Sequence, residues 1–163
     1  MWKIKKILIY QNFRKEYFIF SIGGCVLSLA HPPVAMPYIM VFVLASIGWY
    51  WYRKMPSSQE SFFYGWLFGF GYFFFSLLWI IEPFLVRPND TGILAPFALI
   101  FLAASMSIFW GLAFWSTSQK NNYRNKFVSL FKLAACFSLA ELLRSYLFTG
   151  FPWVIFGVAF VET

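Results

Sequence analysis

Apolar and charged positions in this chain fall in long separate blocks rather than in alternation. From Tyr17 to Tyr52 there is no charged residue, a run of 36. A membrane-crossing helix needs about 20 apolar residues, so this run is too long for one span and barely enough for two. His31, Pro32 and Pro33 stand near its middle, and a residue before proline avoids the helical region. The pattern predicts a hairpin of two helices, about 17–30 and 34–52, the second closing on the interfacial rings Trp49, Tyr50, Trp51 and Tyr52. Arg53 and Lys54 end it, and Pro56, Ser57 and Ser58 make a turn. A third span is expected over 61–81, where Gly65 and Gly69 are spaced for close helix packing and Gly71 lies on another face. After a loop holding Glu82, Pro83, Arg87, Pro88, Asn89 and Asp90, a fourth follows over 93–115. Lys120, Arg124 and Lys126 precede a fifth over 127–148. The last apolar run, Val154 to Val161, has eight residues. It covers about 12 Å of the roughly 30 Å of hydrocarbon, and so reads as the start of an incomplete sixth helix.

The expected fold class is an all-α, polytopic transmembrane bundle of about five spans. It divides into a basic segment, 1–16, lying against headgroups, and a bundle, 17–163, in which 149–163 forms an outer loop and the truncated helix. Composition agrees. Of 163 residues, 61% are hydrophobic, 25% aromatic and only 12% charged, against about 25% charged in soluble domains. The net charge of +7 does not signal nucleic acid, because the basic residues sit at the ends of apolar runs. They follow the positive-inside rule instead. With the N-terminus inside, Lys3, Lys5, Lys6, Arg14, Lys15, Arg53, Lys54, Lys120, Arg124, Lys126 and Lys132 are inside, while Arg87 and Arg144 are outside. The segment from Thr149 to Trp153 then faces outward.

Little in the chain points to chemistry. There is no nucleophile elbow, phosphate-cradling glycine loop or metal-ligand spacing, and no cofactor is implied. Cys25 and Cys136 read as small buried hydrophobes, and His31 as a turn residue. The exception is Glu141 with Arg144, three apart and on one helix face. Charge in a membrane segment is costly, and it usually marks a functional or pairing role. The plainer reading is a structural ion pair near a helix end, with Arg144 reaching outward to the interface.

The stretch ELLRSYLFTGFPW, Glu141 to Trp153, resembles the E-x-x-R, F-T-G-F-P-W signature of bacterial apolipoprotein N-acyltransferases. GWLFGFGYFFFSLLWI, Gly65 to Ile80, is similar to the third transmembrane helix of that family, and LAHPPVAMPY, Leu29 to Tyr38, to the Pro-Pro turn between its first two helices. The resemblance covers the N-terminal membrane part. It implies a bacterial inner-membrane protein acting with membrane phospholipids and an apolipoprotein substrate, whose diacylglyceryl-cysteine amine receives an acyl chain. It also implies a Glu-Lys-Cys triad in a nitrilase-like domain beyond the matched region, so no catalytic residue is expected in this chain. Glu141, Arg144, Thr149, Gly150, Phe151, Pro152 and Trp153 are the candidate supports of the lipid and substrate cavity. On this reading the chain is the membrane portion of such an enzyme, inactive alone. A non-catalytic anchor or scaffold for a separate partner, such as a nitrilase-like chain, is the alternative.

Overall fold

The computed structural model describes residues 2–54, 56–118, 126–147, 154 and 156–160. Among these there are α-helices and 3-10 turns and no strands: α1 (Trp2–Ser28), α2 (Pro37–Lys54), α3 (Ser58–Ser76), the short α4 (Pro88–Thr91), α5 (Ala95–Thr117) and α6 (Lys126–Leu147). α1 runs through residues 16 and 17 without a break. At its end His31 N–H donates to Ser28 O at 3.1 Å and Ala35 N–H to His31 O at 3.0 Å, closing the turn into α2. α3 starts on a capping box: Ser57 N–H donates to Glu60 Oε2 at 2.7 Å, and Glu60 N–H to Ser57 Oγ at 3.4 Å. Two orphan donors of the first turn are thereby satisfied.

The apolar run after α3 does not continue straight to residue 81. α3 stops at Ser76, and the chain bends by 45° into a 3-10 helix, Leu78–Leu85. This helix carries Pro83, and together with α4 it occupies much of the stretch expected to be loop. One stretch, Pro88–Thr117, is by itself long and apolar enough to cross a membrane. The bent pair Ser58–Ser76 and Leu78–Leu85 is a second if it crosses as one unit.

Side-chain pairs fix the helix directions. Phe20 stacks on Tyr64 at 4.6 Å between centroids and His31 meets Tyr72, so α1 and α3 run parallel. Phe20 faces Tyr50 at 6.0 Å and Glu16 pairs with Lys54 at 2.6 Å, so α2 runs opposite to α1. Phe68 meets Trp110 at 5.1 Å, while Phe114 meets Phe137 at 6.3 Å. α5 therefore opposes both α3 and α6.

α3 is the central helix, buried on two sides. Close approach of apolar helices rests on van der Waals contact between small residues. A Cβ on Gly24 of α1 would lie 2.0 Å from Phe68 O, and one on Gly65 would lie 2.6 Å from Trp110 O. Only hydrogen fits at either place. Gly69 sits against Ser107 of α5, and Gly71 faces Ser21 and Cys25 of α1. The Gly65–Gly69 pair thus lies on α5 of the same chain, while Gly24 and Gly71 open the opposite face of α3 to α1.

Candidate functional site

Toward the ends of α1, α3 and α6 the bundle encloses a polar cluster in aromatic surroundings. Glu141 and Arg144, one helical turn apart on α6, form a two-point ion pair. Arg144 Nη2 donates to Glu141 Oε2 at 2.9 Å, and Arg144 Nε to Glu141 Oε1 at 3.3 Å. Trp110 of α5 donates its indole N–H to the same Oε1 at 2.8 Å. The guanidinium carbon lies 4.9 Å from the Phe73 ring centroid, and Nη1 is 3.9 Å from Met106 Sδ. Arg144 is 0% exposed and Glu141 9%. The arginine does not reach outward to the interface. It turns inward, because a planar fork can share a carboxylate and stack on a ring at once, which is a better environment than lipid.

A second polar pair adjoins the first. Tyr72 of α3 stacks on Trp110 at 4.9 Å, and its hydroxyl lies 2.6 Å from His31 Nε2. The same hydroxyl donates to Val154 O at 3.1 Å. His31 therefore has two roles: its backbone closes the α1–α2 turn and its ring ties that turn to α3. Phe156 packs on Trp110 at 5.5 Å and lies parallel to Phe137 at 5.6 Å. The cluster thus joins five parts of the chain: the α1–α2 turn, α3, α5, α6 and the segment after α6.

Of the sequence-derived candidates, Glu141 and Arg144 come together in this cluster. Gly65 and Gly69 lie elsewhere, on the α3–α5 seam. Thr149, Gly150, Phe151, Pro152 and Trp153 lie outside the described residues. Sequence reasoning did not single out Tyr72 or Trp110. Each is one aromatic among many, and no spacing rule links position 110 to position 141. Cys25 and Cys136 are free thiols. Among the described residues no group of three His, Cys, Asp or Glu side chains could hold a metal.

The other end of the bundle holds a looser latch. Glu16 bridges Lys54 at 2.6 Å and accepts the Tyr64 O–H. That contact raises the Lys54 amine above the ordinary lysine value. Ser118 Oγ donates to Pro56 O at 2.7 Å.

Fold and cluster together define a class: an apolar all-helical bundle that buries an ion pair among aromatic rings near one end. Comparison with known proteins gives the family. Residues 23–163 match the model of the apolipoprotein N-acyltransferase N-terminal domain. The apolipoprotein N-acyltransferase of Rhizobium leguminosarum bv. trifolii is 40% identical over 166 residues, covering 93% of this chain and 29% of the relative. Its counterpart in Allorhizobium ampelinum is 30% identical over 163 residues, covering 93% and 30%. That of Caulobacter vibrioides is 32% identical over 143 residues, covering 83% and 26%. The chain belongs to the apolipoprotein N-acyltransferase family, in its N-terminal domain. It spans about three tenths of the length of these relatives.

Proposed function

We propose that this chain is the membrane portion of an apolipoprotein N-acyltransferase, supplying the lipid-facing half of an enzyme that moves an acyl chain from a phospholipid to the amine of a lipoprotein's diacylglyceryl-cysteine. By the family resemblance the thiolate chemistry falls to a nitrilase-like Glu-Lys-Cys domain beyond the matched N-terminal domain, and this portion is inactive alone. The bundle sits in the bacterial inner membrane with five spans and the N-terminus in the cytoplasm. The alternating helix directions and the inside excess of lysine and arginine support this topology.

The observation that carries the reading is the cluster at the outer ends of α1, α3 and α6, in the family that the match identifies. Glu141, Arg144 and Trp110 make a rigid clamp immediately before the Thr149–Trp153 segment. We assign the clamp the task of positioning that segment, so that Thr149, Gly150, Phe151, Pro152 and Trp153 shape the place where acyl chains approach the catalytic thiolate. Because Glu141 already takes two points of the Arg144 fork, Arg144 acts as a positioning residue rather than a phosphate ligand. The anchor reading has less support, since the Gly65–Gly69 seam is occupied by α5 and does not offer a partner surface.

The test uses a full-length relative carrying substitutions at the positions matching Trp153 and Glu141. Trp153→Ala is expected to lower acyl transfer at normal protein level, with Trp153→Phe restoring much of it. Unchanged transfer with Trp153→Ala would overturn the cavity role.

A further inference from the structure

We infer that the groove between α1 and α2 seats one acyl chain of an anionic phospholipid from the leaflet on the N-terminal side, with its headgroup held between Lys15 and Arg53. α1 and α2 meet along one seam, at Glu16–Lys54, Phe20–Tyr50 and Gly23–Ile47. Between them lies an open cavity of about 460 Å³ lined by Phe18, Ile22 and Val26 of α1 and by Phe42, Ser46 and Ile47 of α2. Phe18 is 66% exposed and Phe42 76%, so the walls are open to lipid.

Helical spacing specifies the occupant. On α1 the lining positions 18, 19, 22 and 26 continue back by three and four residues to Lys15. On α2 the lining positions 42 and 46 continue forward by whole turns to Arg53. The two helices are antiparallel, so both basic residues lie at the same end of the groove, and both are exposed. Lys54, the neighbouring cation, is already committed to Glu16, whereas Arg53 lies exposed over the outer Trp49 ring at 5.7 Å from its centroid. From Lys15 to Val26 is 11 residues, about 16 Å of helix. That is close to half of a roughly 30 Å hydrocarbon core, the depth of one leaflet. An apolar trough one leaflet deep, with two basic groups at its polar end, matches a phospholipid of net negative charge. A second groove, lined by Gln59, Phe62, Phe63, Leu112 and Trp115 between α3 and α5, serves as the control. The proposed site lies at the opposite end of the bundle from the Glu141–Arg144 cluster, so it is separate from any acyl-donor site there. It rests on the reading of the chain as membrane-embedded.

The experiment is native mass spectrometry of the 163-residue chain, extracted from membranes and titrated with phosphatidylglycerol or phosphatidylethanolamine of identical acyl chains. The expected result is one tightly retained phosphatidylglycerol. Lys15→Gln with Arg53→Gln is expected to weaken it about thirtyfold, the factor for losing two basic groups near a charged surface, and to leave phosphatidylethanolamine unchanged. Ser46→Trp, which fills the trough, is expected to reduce retention with both charges intact, whereas Leu112→Trp in the other groove has no effect. Equal retention of the two lipids by the wild type, or retention indifferent to both groove variants, would overturn the proposal. So would a dimer that Ser46→Trp dissociates, since the trough would then seat a second copy. Failure to recover the chain from membranes would instead remove the membrane reading beneath it.

Discussion

Replacing Glu141 by Gln tests the clamp most directly. The amide keeps the shape of the carboxylate and still accepts from Trp110, but it removes the charge facing Arg144. The guanidinium is fully buried and loses a partner that took two of its N–H groups, at 2.9 and 3.3 Å. Breaking a buried pair by removing one partner costs about 3–5 kcal/mol. The ring face of Phe73 and the further contacts of Arg144 retain part of the cation's stabilisation, so about 3 kcal/mol is expected. That is a large share of the roughly 5–15 kcal/mol typical of a folded domain. The second arm is the double variant Glu141→Gln, Arg144→Met. With no buried charge left and the volume nearly kept, it should be more stable than Glu141→Gln alone, because both charges go together. The assay is reversible unfolding in mixed micelles, titrating denaturing detergent and following tryptophan fluorescence. A Glu141→Gln variant within about 0.5 kcal/mol of wild type, or a double variant whose loss equals the sum of the two singles, would refute the account of Arg144 as a cation held by Glu141.

Three further outcomes follow from the same structure. Gly24→Ala places a methyl 2.0 Å from Phe68 O and should cost about 1–3 kcal/mol or more by forcing α1 from α3; Gly48→Ala, with nothing within 4 Å, should be neutral or stabilising by up to about 1 kcal/mol, both read as thermal shifts in detergent. Tyr72→Phe strands His31 Nε2 in a buried site and removes the part-buried bond to Val154 O, an expected loss of about 1–3 kcal/mol, measured by the same unfolding titration. Lys54 has its amine raised by Glu16 above the ordinary value of 10.5, so the latch contributes fully below the ordinary value and is lost as pH rises above it through the folded value; over that rise wild type should lose more stability than Glu16→Gln, by a small amount because the pair is partly exposed.

The helical class and the rough positions of α2, α3, α5 and α6 were legible in the sequence, because charge is sparse in the stretches that sit among apolar neighbours; the start of α1 was not, since it runs back from the uncharged run through the basic residues to Trp2. Glu141 with Arg144 was legible for the same reason: two charges inside such a stretch stand out. Their orientation was not. Whether an arginine near a helix end reaches outward or folds inward depends on what faces it, and its neighbours Phe73, Met106 and Trp110 come from distant parts of the chain. Tyr72 and Trp110 stayed hidden among 9 Tyr and 8 Trp, since aromatic residues in a bundle carry no mark of which one bears a polar contact. The bend after Ser76 was also invisible to pattern, because Leu78 to Ile81 are as apolar as the helix before them. Pro83, a few residues on, was the one local sign that the helix would not run straight.

The central seat of α3 bears on the order in which the protein is made. Emerging from the ribosome, α1 and α2 come first, yet they pack only loosely on each other. α3 can dock on α1 through Gly24 and Gly71 as soon as it is released, but its other face, prepared by Gly65 and Gly69, has no counterpart until α5 arrives. Synthesis must therefore pass Thr117 before the middle of the molecule is enclosed. Until then the nascent chain carries an unfilled small-residue face, and this is the stage at which a chaperone or insertase would have most to shield.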